Sequence, residues 1–257
     1  MRIAILGAGK MGSWLARTLS DGNEVAVYDP DAEKAASAGG AEALSSLSAL
    51  DGFAPEMLIN AASLQNTVRA FEEAAPHLPQ GCLICDVASI KGEIPAYYRK
   101  AGMRFASVHP MFGPTFADME ALRKENAVII KESDPSGAAF FREFFGKLGV
   151  RIFEYTFDEH DRMMAYSLTT PFTASLVFAA CMESTAVPGT TFERHRKIAR
   201  GLLSEDDHLL AEILFNKYSV SQLEKITSRL EFLKHVIKAK DYEEARIFFE
   251  KLRKNVG

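Results

Sequence analysis

Arg2-Ile3-Ala4-Ile5-Leu6-Gly7-Ala8-Gly9-Lys10-Met11-Gly12 decides the fold. Its first five residues are an apolar strand that runs straight into three glycines spaced G-x-G-x-x-G, and Ser13 to Leu19 then has helical spacing. Each glycine has separate work. Gly7 permits the tight turn, Gly9 lets the backbone approach a pyrophosphate, and Gly12 lets helix and strand pack closely. The helix start supplies unpaired N–H groups and a partial positive charge suited to phosphates. Lys10 and Met11, inside the turn, are counted with the glycines as cofactor contacts. The alternative is a βαβ unit that binds no nucleotide; the strand before and helix after the glycines weigh against it.

The second strand, Glu24 to Tyr28, ends at Asp29, about twenty residues beyond the glycines, where an acid can bond a ribose 2′-hydroxyl. Pro30 and Asp31 follow, with no Arg or Lys to receive a 2′-phosphate. Two acids at that edge would repel one, so the expected cofactor is NAD and not NADP. Ser63, just past the strand Met57–Asn60, is placed with the cofactor contacts.

Strand-like runs recur at Arg2–Leu6, Glu24–Tyr28, Met57–Asn60, Cys82–Asp86, Phe105–Val108, Ala127–Lys131 and Arg151–Tyr155, with helical segments at Leu64–Ala74, Ile94–Ala101 and Ser136–Leu148. Near-continuous apolar strands alternating with helices predict an α/β fold, a doubly wound, mainly parallel Rossmann-type sheet. After Tyr155 the strands stop. The expected division is a nucleotide-binding domain over 1–157 and an all-α domain over 158–257. Capping-box-like pairs at Ser204/Asp207, Ser221/Glu224 and Asp241/Glu244 predict three late helices. Leu223, Ile226, Leu230, Leu233 and Ile237 form a 3-4 stripe, which is usually core. In a helical domain this small, the stripe and the apolar stretch Phe172–Met182 also suit burial against a second copy, so a homodimer is expected.

With 257 residues, 47% of them apolar, the chain can build one large domain or two modest ones. A net charge of −4 with interspersed signs argues against nucleic acid or an anionic membrane as partner. Cys82, Cys85 and Cys181 are an odd number and fit a reducing compartment. Cys82 and Cys85 have redox-motif spacing, but on a strand they point to opposite faces, so both read as core. Phe172–Met182 is too short to span a bilayer. With no leader read before the first strand, the expected location is the cytoplasm.

The chemistry-bearing residues follow two strands. His109 lies in Ser107-Val108-His109-Pro110-Met111-Phe112-Gly113-Pro114, read as a rigid turn just past the apolar run Phe105–Val108. Ligands of open parallel sheets bind outside the carboxyl ends of the strands, so this histidine is aimed at whatever the sheet binds. Asp86-Val87-Ala88-Ser89-Ile90-Lys91 reaches the same edge. Ser89 can bond a substrate hydroxyl or cap the helix near Ile94. Lys91 can meet cofactor phosphate or substrate carboxylate, or lie in solvent.

With Gly7-x-Gly9-x-x-Gly12, Asp86-Val-Ala-Ser89-Ile-Lys91, Ser-Val-His109-Pro-Met-Phe-Gly-Pro and Glu159-His160-Asp161, the chain resembles the prephenate dehydrogenases over nearly its whole length. The resemblance implies oxidative decarboxylation of prephenate by NAD⁺ to 4-hydroxyphenylpyruvate, CO₂ and NADH. It gives the residue at His109 the ring hydroxyl and its proton as hydride leaves that carbon, and Ser89 a share in holding the hydroxyl. An imidazole of ordinary pKa near 6.5 can be neutral and act as base at working pH.

The resemblance also implies a substrate carboxylate bound by an arginine of the helical domain. The matching region holds Arg194, Arg196, Lys197 and Arg200, with Arg200 preferred and Arg196 and Lys197 as rivals. A solvated basic helix face is the other reading of this cluster. Thr115 and Thr169 are further substrate candidates. Some family members carry histidines where this chain has Leu168-Thr169-Thr170-Pro171-Phe172, which leaves prephenate and its amino analogue arogenate both open. Two other functions compete. A β-hydroxyacid dehydrogenase would use a lysine in the apolar helix, and Phe172–Met182 has none. A non-enzymatic NAD-binding sensor would leave His109 and Ser89 without a purpose.

Overall fold

The computed structural model describes residues 1–113, 122–183 and 187–257. By contacts the chain divides into Met1–Arg162 and Met163–Gly257. The sequence boundary at 157/158 falls five residues earlier, because the start of the helix that follows packs into the first unit through Phe157 and His160.

The first unit is built on one sheet, in the order β3-β2-β1-β4-β5-β6-β7-β8. The strands are β1 (Arg2–Leu6), β2 (Glu24–Tyr28), β3 (Glu42–Ala43), β4 (Met57–Asn60), β5 (Leu83–Asp86), β6 (Phe105–Pro110), β7 (Asn126–Ile130) and β8 (Arg151–Tyr155). All neighbours are parallel except β6 and β7. Strand order reverses between β1 and β4, the place where such sheets open a ligand crevice. The helices are α1 (Lys10–Leu19), α2 (Ala32–Ser37), α3 (Ala49–Phe53), α4 (Thr67–Ala74), α5 (Ile94–Ala101), α6 (Pro135–Lys147) and α7 (Phe157–Met164).

The inner strands β1, β2, β4, β5 and β7 are largely apolar because both of their faces are covered, whereas the edge strands β3 and β8 are exposed or half-exposed. Ile3 and Ile5 meet Trp14 of α1 and Phe141 and Phe145 of α6 on one side. Ala4 and Leu6 join Phe71 of α4 and Tyr97 and Tyr98 of α5 on the other. Cys85 belongs to the first core and Cys82 to the second, with the Cys82 thiol pushed up to about 11 by burial, as expected of packing rather than redox residues. Cys181, by contrast, is exposed.

The second unit holds a π-helical turn, Ala165–Thr169, then α8 (Thr170–Ala180), α9 (Thr190–Leu202), α10 (Asp207–Leu214), α11 (Ser219–Ala239) and α12 (Tyr242–Val256). Asp241 caps α12 as expected, accepting from the N–H groups of Glu243 and Glu244. The cap of α10 is Asp206, not Ser204, and α11 begins before Ser221. The stripe on α11 is not core: Leu223, Leu230 and Ile237 are 46%, 52% and 65% exposed. Within the helical stretch Phe157–Ala180 an 18-residue window has a mean hydropathy of 1.2, which by length and composition only is enough to cross a membrane. Phe172–Met182 alone remains too short to span a bilayer; the longer helical stretch arises because the π turn joins α7 to α8. The start of that stretch carries Asp158, Glu159, Asp161 and Arg162, and its His160 is buried in the α/β unit.

Candidate active site

The glycine turn lies between the carboxyl end of β1 and the start of α1. Gly7 has φ +92°, and a Cβ there would stand 2.8 Å from the carbonyl oxygen of Ala61, just past β4. A Cβ on Gly12 would sit 1.8 Å from the Gly7 carbonyl oxygen, so only glycine lets the helix seat this close. A Cβ on Gly9 would meet nothing within 4 Å. Gly9 is also the N-cap of α1 and, having no side chain, supplies no side-chain cap to the first turn. That combination fits a phosphate-bearing cofactor. Lys10 is exposed and Met11 half-buried in that first turn.

Asp29 stands at the same edge. Its Oδ2 accepts the Ala8 N–H at 2.7 Å and its Oδ1 the Asp31 N–H at 2.9 Å, which ties the end of β2 to the glycine turn. A carboxylate has about four acceptor sites, so these bonds leave capacity for a ribose hydroxyl. Asp31 caps α2, and the backbone N–H of Lys34 foremost lowers its pKa, so it remains an anion beside Asp29. Past β4, buried Asn60 holds the next turn, donating to the Thr67 carbonyl at 2.8 Å and accepting from Ala62 N–H at 3.1 Å. Ser63 rides on that turn, exposed, its hydroxyl accepting from Asn66 at 2.7 Å.

His109 is a strand residue, not a turn residue: it is in β6, opposite Val128 of β7, and 6% exposed. Pro110 is compatible with the strand because it closes it, where a missing N–H is tolerated. Phe105 and His109 share one face of β6, as strand alternation requires, and α7 meets that face. Phe157 stacks near Phe105 with ring centres 6.1 Å apart, and His160 Nε2 lies 3.0 Å from His109 Nδ1. Burial, with His160 and Lys91 adding to it, pushes the His109 pKa well below the ordinary histidine value. Burial also lowers His160, against the opposing pull of Asp161.

The sequence presents His160 only within the Glu159-His160-Asp161 motif, without its contact to His109. A local signal was available. Thr156 and Glu159 form a capping box: the Glu159 N–H donates to Thr156 Oγ1 at 3.1 Å, and the Thr156 N–H donates to Glu159 Oε2 at 2.7 Å. That box fixes where α7 starts and hence that His160 falls in its first turns.

Lys91 corrects the sequence reading. It is fully buried, donating to Asp86 Oδ1 at 2.6 Å and to the Val108 carbonyl at 2.8 Å. Tyr98 donates to the other Asp86 oxygen at 2.8 Å. Lys91 thus braces β5 against β6 one residue before His109, and no surface is left for cofactor phosphate. Ser89, half-buried, lies in the same loop beyond β5.

Thr169 is a second correction. Only 2% exposed, its hydroxyl lies 2.8 Å from Ser219 Oγ and 3.4 Å from the Ile213 carbonyl. The unwound π turn needs those bonds, so Thr169 holds helices together rather than facing a ligand. Arg200, in the last turn of α9, and Lys197 are exposed. The Arg196 guanidinium pairs with Glu193 at 2.6 Å. Thr115 lies outside the described residues. Among the described residues no cluster of ligands for a metal ion forms.

Comparison with known proteins agrees with this geometry. Residues 15–153 match the family described as "Prephenate dehydrogenase, nucleotide-binding domain". A probable arogenate/prephenate dehydrogenase of Methanocaldococcus jannaschii is 25% identical over 204 residues, covering 73% of this chain and 45% of that protein. Arogenate dehydrogenase 1, chloroplastic, of Arabidopsis thaliana is 26% identical over 248 residues, covering 91% of this chain and 39% of its own length. The chain therefore spans less than half the length of these curated relatives. The crystal structure of prephenate dehydrogenase from A. aeolicus in complex with hydroxyphenyl propionate and NAD⁺ has the same fold, with a TM-score of 0.85 at 18% identity over 99% of this chain and 96% of that one. By the family match over more than half its length, this chain belongs to the prephenate dehydrogenase family.

Proposed function

We propose that the chain is an NAD-dependent dehydrogenase that oxidatively decarboxylates prephenate to 4-hydroxyphenylpyruvate. The observation that carries this reading is His109, a buried imidazole at the carboxyl edge of β6 whose pKa burial pushes well below the ordinary value, in the same sheet as the glycine turn. With Nδ1 engaged by His160, Nε2 is the ring nitrogen for a substrate hydroxyl. The glycine turn holds the pyrophosphate and Asp29 the ribose hydroxyl. Bound NAD⁺ supplies the two-electron acceptor. His109 takes the ring hydroxyl proton as hydride leaves the same carbon, which becomes a carbonyl; loss of CO₂ then aromatises the ring to a phenolate, which recovers a proton from His109. Ser89 helps hold that hydroxyl, and Arg200 binds a substrate carboxylate. NADH formation with prephenate and arogenate, each with NAD⁺ and NADP⁺, tests the reading. The expected order is prephenate with NAD⁺ first; turnover with neither acid would overturn it. Arogenate is the second reading, favoured by the Thr169-Thr170-Pro171-Phe172 stretch, which lacks histidine.

The helical unit is further proposed to form a homodimer contact. Leu223, Leu230 and Ile237 lie exposed at seven-residue intervals along α11, and α8 buries no residue fully in the single chain. Obligate dimer interfaces are large and apolar. Light scattering at micromolar concentration should give twice the mass of one chain; the mass of one chain would overturn it.

A further inference from the structure

We propose that His160 is a positioning residue that fixes the tautomer of His109, with Asp161 behind it setting the direction of the hydrogen bond between the two rings. This rests on the reading of His109 as the base. His160 is fully buried, its Nε2 is 3.0 Å from His109 Nδ1, and its own Nδ1 lies 3.5 Å from Asp161 Oδ1. His160 Nδ1 makes no normal hydrogen bond among the described residues; Asp161 is the nearest carboxylate to it, and Lys91 and Asp86 act on it more weakly.

Two neutral imidazoles in contact share one proton, and only one arrangement yields a base. If His109 Nδ1–H donates to His160 Nε2, His109 Nε2 keeps its lone pair and can take a proton. If His160 Nε2–H donates instead, His109 Nδ1 is the acceptor and Nε2 already carries its proton. The Asp161 carboxylate decides between them. A proton on His160 Nδ1 lies toward the anion, which leaves His160 Nε2 as acceptor and turns His109 the productive way. Once His109 has taken the substrate proton, the same chain faces the new imidazolium with a lone pair and, beyond it, a carboxylate. Burial supports the arrangement, because it keeps both rings neutral. The other charges nearby, Lys91 and Asp86, are paired with each other. The capping box of Thr156 and Glu159 holds the helix that carries His160.

The direct test is long-range ¹⁵N–¹H correlation on the full-length protein labelled at histidine, without substrate, near neutral pH. The chain has six histidines, assignable by single replacement. The expected spectrum has His109 and His160 both as Nδ1–H tautomers, against the Nε2–H preference of free histidine. His109 observed as Nε2–H in the native protein overturns the proposal, whatever the variants do. His160→Gln keeps an acceptor and should hold kcat within several-fold. His160→Met removes it, should return His109 to Nε2–H, and should lower kcat by about 10²–10⁴-fold with NAD⁺ affinity unchanged, a wrong tautomer costing ~10⁴ in the serine-protease triad. Near-native kcat in a folded His160→Met enzyme would also overturn it. If that variant fails to fold, the native spectrum alone decides. The two readings fail separately: an active His109→Asn enzyme with the expected native tautomers sinks the base, whereas an inactive one with His109 as Nε2–H sinks the positioning role.

Discussion

The Lys91 ammonium and the Asp86 carboxylate meet at 2.6 Å with both side chains fully enclosed. Burial lowers the Lys91 pKa despite the partner anion, so the pair is held at a desolvation cost that its hydrogen bonds offset. Lys91→Met should therefore leave a stranded buried carboxylate and destabilise the protein by about 3–5 kcal/mol. The shift in urea midpoint measures it. A loss under about 1 kcal/mol would show that the pair contributes little, the expectation for an exposed ion pair.

The glycine turn separates folding from cofactor binding. Gly9 has φ −67° and open space where a Cβ would go. Gly9→Ala should thus leave stability within about 1 kcal/mol, the gain from a stiffer unfolded chain being set against a poorer N-cap. The same methyl stands where a pyrophosphate must approach, so NAD⁺ affinity should fall by about tenfold or more, read by calorimetry. Asp29→Ser, which removes a ribose acceptor and a charge together, should weaken NAD⁺ and improve NADP⁺. Unchanged NAD⁺ affinity in Gly9→Ala would place the cofactor elsewhere.

Arg200 is the residue of α9 proposed to bind a substrate carboxylate, and Arg196 is paired with Glu193. Arg200→Ala should raise KM for the acid by an amount corresponding to roughly 2–5 kcal/mol, the cost of truncating one partner of a desolvated charge pair. NAD⁺ affinity should stay nearly constant. A defect in Lys197→Ala with a normal Arg200→Ala would move the role one turn back along the helix.

The parts of the site that were legible in the sequence are those set by local geometry. Gly7, Gly9 and Gly12 announce themselves by their G-x-G-x-x-G spacing between a strand and a helix, with Gly7 at positive φ and Gly12 against the Gly7 carbonyl, and Asp29 because the second strand ends there. Lys91 was misread because a lysine after a strand is ordinarily solvated; only the three-dimensional approach of Asp86, Val108 and Tyr98 encloses it. Thr169 was misread because nothing local marks the π turn that diverts its hydroxyl to Ser219. The contact between His109 and His160 spans 51 residues and depends on how α7 lies on the sheet, which no periodicity encodes.

His109→Asn is the decisive substitution for the proposed chemistry. Asparagine keeps a hydrogen bond and a similar shape but cannot take a proton, so kcat should fall by about 10²–10⁴-fold while NAD⁺ still binds. The pH dependence carries a sign. Burial, His160 and Lys91 depress the pKa of His109, so the neutral, basic form persists below pH ~6.5, the ordinary value. The acid limb of kcat/KM assigned to His109 should accordingly lie below that value and vanish in His109→Asn. Stability follows the same direction. A group with a lowered folded pKa contributes stability that is fully present above its unfolded pKa and is lost as pH falls through the folded one. Tm should thus decline on acidification below about pH 6.5, and less steeply in His109→Asn, which has one fewer imidazole to protonate on unfolding. Near-native kcat with an unshifted acid limb in that variant would remove His109 from the reaction.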